Sequence, residues 1–278
     1  MKKKKTYLPL AACVLIAGCA TGPTGPPDVL RRPQTPGGKG VWGEIKVMPT
    51  RPGAKQRVLI VRPDGKIKGY VVLFKGGTGT RPFTELSDGF KLSGNFLTRS
   101  AALFALQGFI AVLVETPSDQ SVGLGDIFRE SRKHLKDIQV LVSHLAEQGD
   151  NPIFLIGTSR GTYSVAYLAQ EMRSEHIKGI VLTSSMDDIG LRTTKYPVLF
   201  VHHRDDGCFV TTYSNALQSY ERVSSPQKLF VTVEGGKPRT GRECGPFAQH
   251  GFIGQESEVV KVITDWAQGK PIPDKVGP

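Results

Sequence analysis

Short runs of consecutive apolar residues alternate along the chain with longer segments in which apolar residues recur every three or four positions. A continuous apolar run predicts a strand that is buried on both faces; such runs occupy residues 70–74, 109–114, 153–156, 177–183, 198–202 and 229–233. The spacing of three to four predicts amphipathic helices, which we place at residues 96–106, 127–148, 163–172 and 259–266. Residues 42–47 and 57–61 are predicted as outer strands that precede this series. Strands that alternate with helices are typical of an α/β fold with a doubly wound, mostly parallel sheet.

The beginning of the chain departs from this pattern. Four lysines follow the first methionine, and residues 7–17 form an apolar run that is too short to cross a bilayer. A basic start, an apolar run and small residues are typical of a secretory signal peptide, which we place at residues 1–18. Residues 19–40 contain five prolines and five glycines and cannot bury a core, so they are predicted to be a tether. The folded part is then one domain over residues 41–278.

The end of the signal peptide, Ile16-Ala-Gly-Cys19, resembles the lipobox of bacterial lipoproteins. The resemblance implies that Cys19 is acylated and becomes the first residue of an exported chain, which its lipid anchors to a membrane. Ala20 stands where lipoproteins that are kept at the inner membrane carry an aspartate. The resemblance therefore implies the outer membrane, facing the periplasm, if the cell is Gram-negative.

The charge of the chain does not favour nucleic acid as a partner. The formal net charge is +11, and removal of residues 1–18 takes away four lysines and no acids, which leaves +7. The basic residues are scattered, and no nucleic-acid-binding motif occurs. This excess better suits weak attraction to anionic lipid or cell-wall polymer.

The cysteines predict one disulfide. Cys13 is lost with the signal peptide and Cys19 carries the lipid, which leaves Cys208 and Cys244. A remaining pair in an oxidising compartment predicts a disulfide bond. A zinc site would need more ligands at closer spacing, so no metal and no other cofactor is predicted.

A Gly-x-Ser-x-Gly motif, Gly157-Thr-Ser-Arg-Gly161, lies between a predicted buried strand and a predicted helix. In that context the serine sits on a sharp, strained turn at the C-terminal end of the strand, where the flanking positions have almost no room for side chains. Ser159 is therefore the candidate nucleophile. The N-terminus of the next helix favours negative charge that develops on a substrate oxygen.

Candidate acids follow two of the predicted strands. A serine nucleophile needs a base, and the base needs an acid that orients it. Asp205 and Asp206 follow the strand at residues 198–202, which places a carboxylate at the same sheet edge as the nucleophile. Asp187 and Asp188 follow the preceding strand and remain alternative acids.

The candidate base is His250. The chain contains six histidines, and His250 alone follows Asp205 and Asp206, in the order serine, acid, histidine. It lies in a loop just before the last predicted helix. His134 and His144 lie on a predicted helix and are interpreted as surface residues, whereas His202 is interpreted as packing in the core or in a turn near the acid.

Over residues 70–266 the chain resembles the α/β-hydrolase family of serine hydrolases. The Gly157-Thr-Ser-Arg-Gly161 motif matches the nucleophile elbow of that family, and His250-Gly-Phe matches its histidine loop. Val201-His-His-Arg-Asp-Asp206 resembles the family's Val-His-Gly-x-x-Asp, which favours Asp206 over Asp205 as the acid. The resemblance implies an α/β-hydrolase fold and a Ser-Asp-His triad.

Gly76-Gly-Thr78 resembles the oxyanion loop of the same family. The resemblance implies that backbone N–H groups of Gly77 and Thr78 bind the oxyanion together with the N–H of Arg160. Two residues depart from the family's pattern, since Arg160 follows the serine and His203 replaces a glycine. The side chain of Arg160 is expected either to attract a carboxylate on the substrate or to pack on the sheet.

These residues predict an enzyme that cleaves carboxylic esters, on small-molecule or polymer-borne substrates, through an acyl-enzyme. A peptidase or amidase with the same triad, and a non-catalytic binding lipoprotein with a hydrolase fold, are the alternatives. Residues 184–196 are too few for the large cap that many enzymes of this architecture insert there. We expect an open site that is walled by residues 80–95 and 118–125. Short acyl groups should be preferred, because each CH₂ left unburied loses up to about 0.8 kcal/mol.

Overall fold

The computed structural model describes residues 29–31 and 40–278. The predicted signal peptide and the predicted lipidation site at Cys19 lie outside these residues. In the part of the chain that is described, no helix is both long and apolar enough to cross a bilayer.

Strands and helices alternate through most of the described chain. The strands are β1 (Val29–Arg31), β2 (Trp42–Arg51), β3 (Ala54–Arg62), β4 (Gly69–Phe74), β5 (Phe83–Glu85), β6 (Gly89–Leu92), β7 (Phe109–Val114), β8 (Ile153–Ser159), β9 (Ile177–Ser185), β10 (Val198–His203), β11 (Lys228–Val233) and β12 (Lys275–Val276). The helices are α1 (Phe96–Arg99), α2 (Ala101–Leu106), α3 (Asp126–Arg129), α4 (Arg132–Ala146), α5 (Gly161–Glu171), α6 (Tyr213–Arg222) and α7 (Glu256–Ala267). Short 3-10 turns occupy Ser118–Gln120 and Gln249–Gly251.

These strands join one sheet in the order β12-β11-β10-β9-β8-β4-β7-β3-β2-β1-β6-β5. Neighbouring strands from β12 to β7 are parallel, whereas β3 pairs antiparallel with β7 on one side and with β2 on the other. The predicted α/β fold with a mostly parallel sheet is therefore confirmed. Strand β7 lies on one side of β4 and β8 on the other, so the strand order reverses at β4. Such a reversal leaves a crevice beyond the carboxyl ends of β4 and β8, which is where ligands bind in open α/β sheets.

Helices cover both faces of the central strands. In β4, Val71 and Leu73 face one core cluster, and Tyr70, Val72 and Phe74 face the other. The first cluster includes residues of α2 and α7, namely Ala102, Phe104, Val260 and Ile263. The second includes residues of α4 and α5, namely Ile138, Leu141, Val165 and Leu168. Burial on both faces explains why these strands are continuous apolar runs rather than alternating ones.

Two predicted helices are each split into two. The predicted helix at residues 96–106 is α1 and α2, divided at Ser100, and the one at residues 127–148 is α3 and α4. Ser131 explains the second division, because its hydroxyl accepts a hydrogen bond from the N–H of His134 and caps α4. Helix α6 was not predicted. Its fully buried residues are only Ala216 and Ser219, so it lacks a broad apolar stripe.

Residues that were predicted to be irregular take part in the sheet. Strands β5 and β6 form a hairpin within residues 80–95, and β1 pairs with both β6 and β2. The prediction of a tether over residues 19–40 is therefore wrong for Val29–Arg31. Leu30 is buried and pairs with Phe90, a strand partner far along the chain that local composition does not reveal.

The segment between β9 and β10 carries no large cap, as predicted. Met186, Ile189 and Leu191 of this segment are instead buried in the core beside α4 and α5. The carboxyl edge of the sheet near β8 is therefore not covered from this direction.

Candidate active site

Ser159 is the last residue of β8 and lies on a strained turn. Its φ is +52°, a left-handed conformation that a residue other than glycine keeps only when its surroundings hold it. A Cβ on Gly157 would come within 2.5 Å of the carbonyl oxygen of Gly161, and a Cβ on Gly161 within 2.0 Å of the carbonyl oxygen of Phe74. Only glycine fits at either position, and helix α5 begins immediately after the turn. The local geometry is that of a nucleophile elbow.

His250 and Asp206 form a buried hydrogen-bonded pair. Nδ1 of His250 lies 2.9 Å from Oδ2 of Asp206, and the two side chains are 7% and 0% exposed. An ionised carboxylate only accepts hydrogen bonds, so Nδ1 carries the proton and Nε2 is left as a proton acceptor. Asp206 follows β10, and His250 lies in the 3-10 turn before α7. His250 and Ser159 line the same cleft.

Three further groups surround the carboxylate of Asp206. The N–H of Cys208 donates to Oδ1 (2.9 Å), and the hydroxyl of Thr211 donates to Oδ2 (3.0 Å). Nε2 of His202 lies 3.4 Å from Oδ2 and 2.8 Å from the carbonyl oxygen of Thr211. Burial raises the pKa of Asp206, but the hydrogen bonds and charges of His202 and His250 outweigh it and hold the pKa well below its usual range. The carboxylate is therefore ionised over the pH range in which a histidine can act as a base.

The alternative acids have other surroundings. Asp205 and Asp188 are exposed, and Asp188 lies 3.5 Å from a guanidinium nitrogen of Arg192. Oδ1 of Asp187 accepts the N–H of Thr212, at the start of α6, at 2.9 Å. Within residues 29–31 and 40–278, the carboxylate that is hydrogen-bonded to the imidazole of His250 is that of Asp206 alone.

The loop that continues β4 packs directly against the serine. A Cβ on Gly76 would lie 2.9 Å from Cβ of Ser159 and 2.9 Å from the carbonyl oxygen of Thr158, so this glycine allows the two backbones to touch. Gly77 has a φ of +59°, which glycine adopts without steric penalty. Gly76, Gly77 and Thr78 all line the cleft beside Ser159. Their N–H groups, with that of Arg160, are the candidate donors to an oxyanion.

The side chain of Arg160 takes neither of the two expected positions. Its Nη2 lies 2.7 Å and its Nε 2.8 Å from Oδ1 of Asp126, so it forms an ion pair with α3. Arg160 is not among the residues that line the cleft. A role for it in catalysis would rest on its backbone N–H, not on its guanidinium.

The cleft beside Ser159 has a volume of about 350 Å³, and one of its two predicted walls is formed by a different segment. Residues 80–95 contribute to its lining as predicted, but residues 118–125 do not. The N–H of Leu124 donates to the carbonyl oxygen of Thr78 at 2.8 Å, so this segment supports the back of the glycine-rich loop. The other wall comes from the segment that leads to His250. The lining residues are Lys75, Gly76, Gly77, Thr78, Ser93, Gly94, Asn95, Phe96, Thr158, Ser159, Cys244, Pro246, His250 and Gly251.

The predicted disulfide between Cys208 and Cys244 is present. It joins the loop that follows β10 to the segment that walls the cleft. No group of three or more His, Cys, Asp or Glu side chains among the described residues is arranged to hold a metal ion.

Several residues around the pair were missed by sequence reasoning. The hydroxyl of Thr211 lies 3.0 Å from Nδ1 of His250 as well as from Asp206. Ser184, with a φ of +42°, donates its hydroxyl to the carbonyl oxygen of His250 at 2.7 Å. No motif spacing marks either residue. The interpretation of His134 as a surface residue is wrong, because this side chain is buried and its ring packs against Phe74 and Phe128.

No protein-family model matches the chain, and no curated protein matches its sequence. Solved structures, in contrast, match its fold. The chain is similar to an α/β serine hydrolase homologue from Coxiella burnetii, with a TM-score of 0.58 and 16% identity over 80% of this chain and 95% of that one. The chain has the α/β-hydrolase fold.

Two other structures share this fold with similar scores. One is a cold-adapted esterase from an Arctic intertidal metagenomic library, with a TM-score of 0.54 and 16% identity over 81% of this chain and 94% of that one. The other is an acylaminoacyl peptidase from Pyrococcus horikoshii, with a TM-score of 0.56 and 13% identity over 84% of this chain and 42% of that one. The α/β-hydrolase fold therefore carries both ester and peptide hydrolysis, and the fold alone does not choose between them.

Proposed function

We propose that the protein is a serine hydrolase that cleaves carboxylic esters through a Ser159–His250–Asp206 triad. The observation that carries the proposal is the buried hydrogen bond from His250 to Asp206, in the cleft that also contains the strained Ser159. A nucleophile, a base and an orienting acid are the minimum set for acyl transfer. The fold of the chain, which serine hydrolases and esterases share, supports the same class of reaction.

The proposed reaction proceeds in two halves. Nε2 of His250 takes the proton of Ser159 as Oγ attacks the ester carbonyl carbon, while Asp206 stabilises the imidazolium that forms. Backbone N–H groups of the loop at Gly77 and Thr78, and that of Arg160, stabilise the oxyanion. The alcohol leaves with the proton from His250, and the acyl group remains on Oγ. Water, deprotonated by His250, then attacks the acyl-enzyme and releases the acid.

A peptidase or amidase is the second candidate, because an acylaminoacyl peptidase shares the fold. Amides have a poorer leaving group than esters, so an esterase and an amidase with the same triad differ in how fully they protonate that group. Matched ester and amide substrates with one acyl group separate the two candidates. Any serine hydrolase cleaves an ester faster than the matched amide, so the amide decides: its turnover supports the peptidase, whereas turnover of the ester alone supports an esterase.

The nucleophile can be tested directly with a fluorophosphonate probe, which labels activated serines. Wild-type protein should be labelled, and Ser159→Ala should lose both labelling and ester hydrolysis while it keeps its melting temperature. Loss of a triad serine reduces turnover by up to about 10⁶-fold. Ser143→Ala is the matched control, since Ser143 is exposed on α4 and should label as wild type does. Labelling of Ser159→Ala, or an unlabelled wild type, would refute the proposal and favour a non-catalytic binding protein.

We also propose that the chain is exported and anchored to a membrane by lipid at Cys19. The lipobox-like sequence carries this proposal, and the disulfide suits an oxidising compartment outside the cytoplasm. Incorporation of labelled palmitate and partition into membranes should both be lost in Cys19→Ala. Cys13→Ala, a change inside the predicted signal peptide, should keep both. Equal labelling of the two variants would exclude lipidation at Cys19.

A further inference from the structure

A buried arginine lies behind the glycine-rich loop of the candidate site. Arg129 ends α3 and is 1% exposed. Its Nη2 donates to the carbonyl oxygens of Gly77 (3.1 Å) and Lys75 (3.3 Å), and its Nη1 donates to the hydroxyl of Ser164 on α5 (3.1 Å). One guanidinium therefore connects the loop after β4 to the helix that follows the nucleophile.

The side chain of Arg129 is unusual for a buried cation. Among the described residues no carboxylate lies within ion-pair distance of it, and its Nε has no hydrogen-bond partner. Burial and the positive charge of Arg160 lower the pKa of Arg129 to about 10, against the opposing charge of Asp126. A buried charge without a directly paired counter-ion is unfavourable for folding. A side chain that served packing alone would be better replaced by an apolar one, so the contacts of Arg129 with the loop need another explanation.

The geometry of the peptide bond supplies that explanation. In a trans peptide the C=O of one residue and the N–H of the next point in opposite directions. When Arg129 holds the carbonyl oxygen of Gly77, it turns the N–H of Thr78 away from itself, and Thr78 lines the cleft. The contact with the carbonyl oxygen of Lys75 orients the N–H of Gly76 in the same way. We propose that Arg129 is a positioning residue, which aims the N–H of Thr78 at the oxyanion and fixes the backbone of the loop around it; this inference rests on the proposed serine hydrolysis.

Helix α3 also contacts Arg160, whose backbone N–H is another candidate donor to the oxyanion. Asp126, three residues before Arg129, binds the side chain of Arg160, whose N–H follows the nucleophile. Helix α3 therefore contacts both sides of the candidate oxyanion site, through Arg129 on one side and Asp126 on the other. Donors that are fixed before the reaction stabilise a transition state more than donors that must reorient.

The contacts of Arg129 with the loop and with α5 need the planar, forked guanidinium group. Nη1 and Nη2 of Arg129 reach Ser164 on one helix and two carbonyl oxygens on a loop at the same time. A lysine ammonium is a single point on a flexible stem and cannot span these acceptors with the same geometry. Arg129→Lys therefore keeps the charge and part of the positioning, whereas Arg129→Met loses the charge and all of these contacts.

The test compares kcat and KM of wild type, Arg129→Lys and Arg129→Met on one ester, together with inhibition by a trifluoromethyl ketone that forms a tetrahedral adduct. Removal of an oxyanion donor reduces kcat by about 10²–10³-fold, so misaimed donors should reduce it by roughly 10- to 100-fold in Arg129→Met, and by less in Arg129→Lys. KM should change by less than about twofold, since the ground state makes little use of these donors. Affinity for the ketone should fall in proportion to kcat.

Leu145→Ala is the control for lost stability, because Leu145 is a buried residue of α4 that does not line the cleft. It should lower the melting temperature while kcat at a temperature well below melting stays unchanged. An unchanged kcat in Arg129→Met, or changes that match those of Leu145→Ala, would overturn the positioning role. If Arg129→Met does not fold, the same comparison is made with Arg129→Lys. Failure of the proposed hydrolysis is distinguishable, because wild-type protein would then lack both turnover and fluorophosphonate labelling.

Discussion

The backbone N–H of Cys208 donates a hydrogen bond to Oδ1 of Asp206, with 2.9 Å between the two atoms. Cys208 is also bonded through its sulfur to Cys244, which lines the cleft. One covalent bond therefore connects the surroundings of the candidate acid to a wall of the candidate site.

Loss of this disulfide should reduce both stability and activity. The bond closes a loop with a sequence separation of 36, for which chain entropy alone corresponds to about 3–4 kcal/mol of unfolding free energy. The variant Cys208→Ala/Cys244→Ala should unfold at lower denaturant concentration and hydrolyse ester more slowly, because the contact at Asp206 and the cleft wall are no longer fixed. Chemical denaturation and kcat measure the two effects. Wild type treated with reductant should reproduce the variant, and identical curves with and without reductant would contradict the prediction.

The identity of the acid can be tested with a pair of neighbouring carboxylates. Asp206→Asn should reduce kcat by about 10⁴-fold, because an amide does not hold the imidazole in the required tautomer or stabilise its charge. Asp205→Asn should leave kcat within about twofold, since Asp205 is exposed and its carboxylate does not contact His250. Steady-state kinetics on one ester measure both. A large loss in Asp205→Asn with a small loss in Asp206→Asn would reverse the assignment.

The elements that were predicted correctly are those in which local sequence and tertiary structure agree. Gly157 and Gly161 are required by close backbone contacts, so their spacing between a predicted buried strand and a predicted helix predicts the elbow. Strands such as β4 are covered on both faces, and their continuous apolar sequence predicts this burial. The position of the candidate nucleophile at the end of a buried strand follows from these two signals.

The elements that were missed depend on distant partners. Strand β1 is recognisable only through its pairing with β6 and β2, and the side chains of α6 are mostly polar. Arg129 and His134 belong to residue types that are usually exposed, so their burial is visible only once α3 and α4 are packed on the sheet. Thr211 is brought to the candidate triad by a turn that has no characteristic sequence.

His134 should make the protein less stable in mild acid. Both of its ring nitrogens lack a hydrogen-bond partner among the described residues, and Arg129 and Arg51 lie near it. Burial, with the charge of these two arginines, lowers the pKa of His134 from 6.5 to about 3. Between these values the unfolded chain binds a proton that the folded chain does not, so stability falls as pH falls.

The size of this effect follows from the linkage relation. Between pH 7.5 and pH 5.0, the proton taken up by His134 in the unfolded chain should remove about 2 kcal/mol of unfolding free energy. His134→Leu, which keeps a similar volume, should lose that part of the pH dependence, while contributions from other groups remain in both proteins. Urea titrations of wild type and variant at the two pH values measure the difference. An equal pH dependence in both proteins would show that His134 is protonated in the folded state.

The open cleft predicts a preference for short acyl groups. No segment between β9 and β10 closes over Ser159, and the cleft beside it holds only about 350 Å³, with Phe96, Pro246 and the disulfide-bonded Cys244 as its apolar side chains. A long acyl chain would therefore extend into water, and each CH₂ left unburied forfeits up to about 0.8 kcal/mol of binding.

Hydrolysis of nitrophenyl esters with increasing acyl length tests this preference. The value of kcat/KM should be highest for short acyl groups and fall once the chain outgrows the cleft, and it should not rise when the substrate forms an oil–water interface. Polar or polymeric leaving groups should be tolerated, because the open edge of the sheet leaves them room. A maximum at long chains together with activation at the interface would contradict this prediction, because it requires an apolar surface that closes over Ser159.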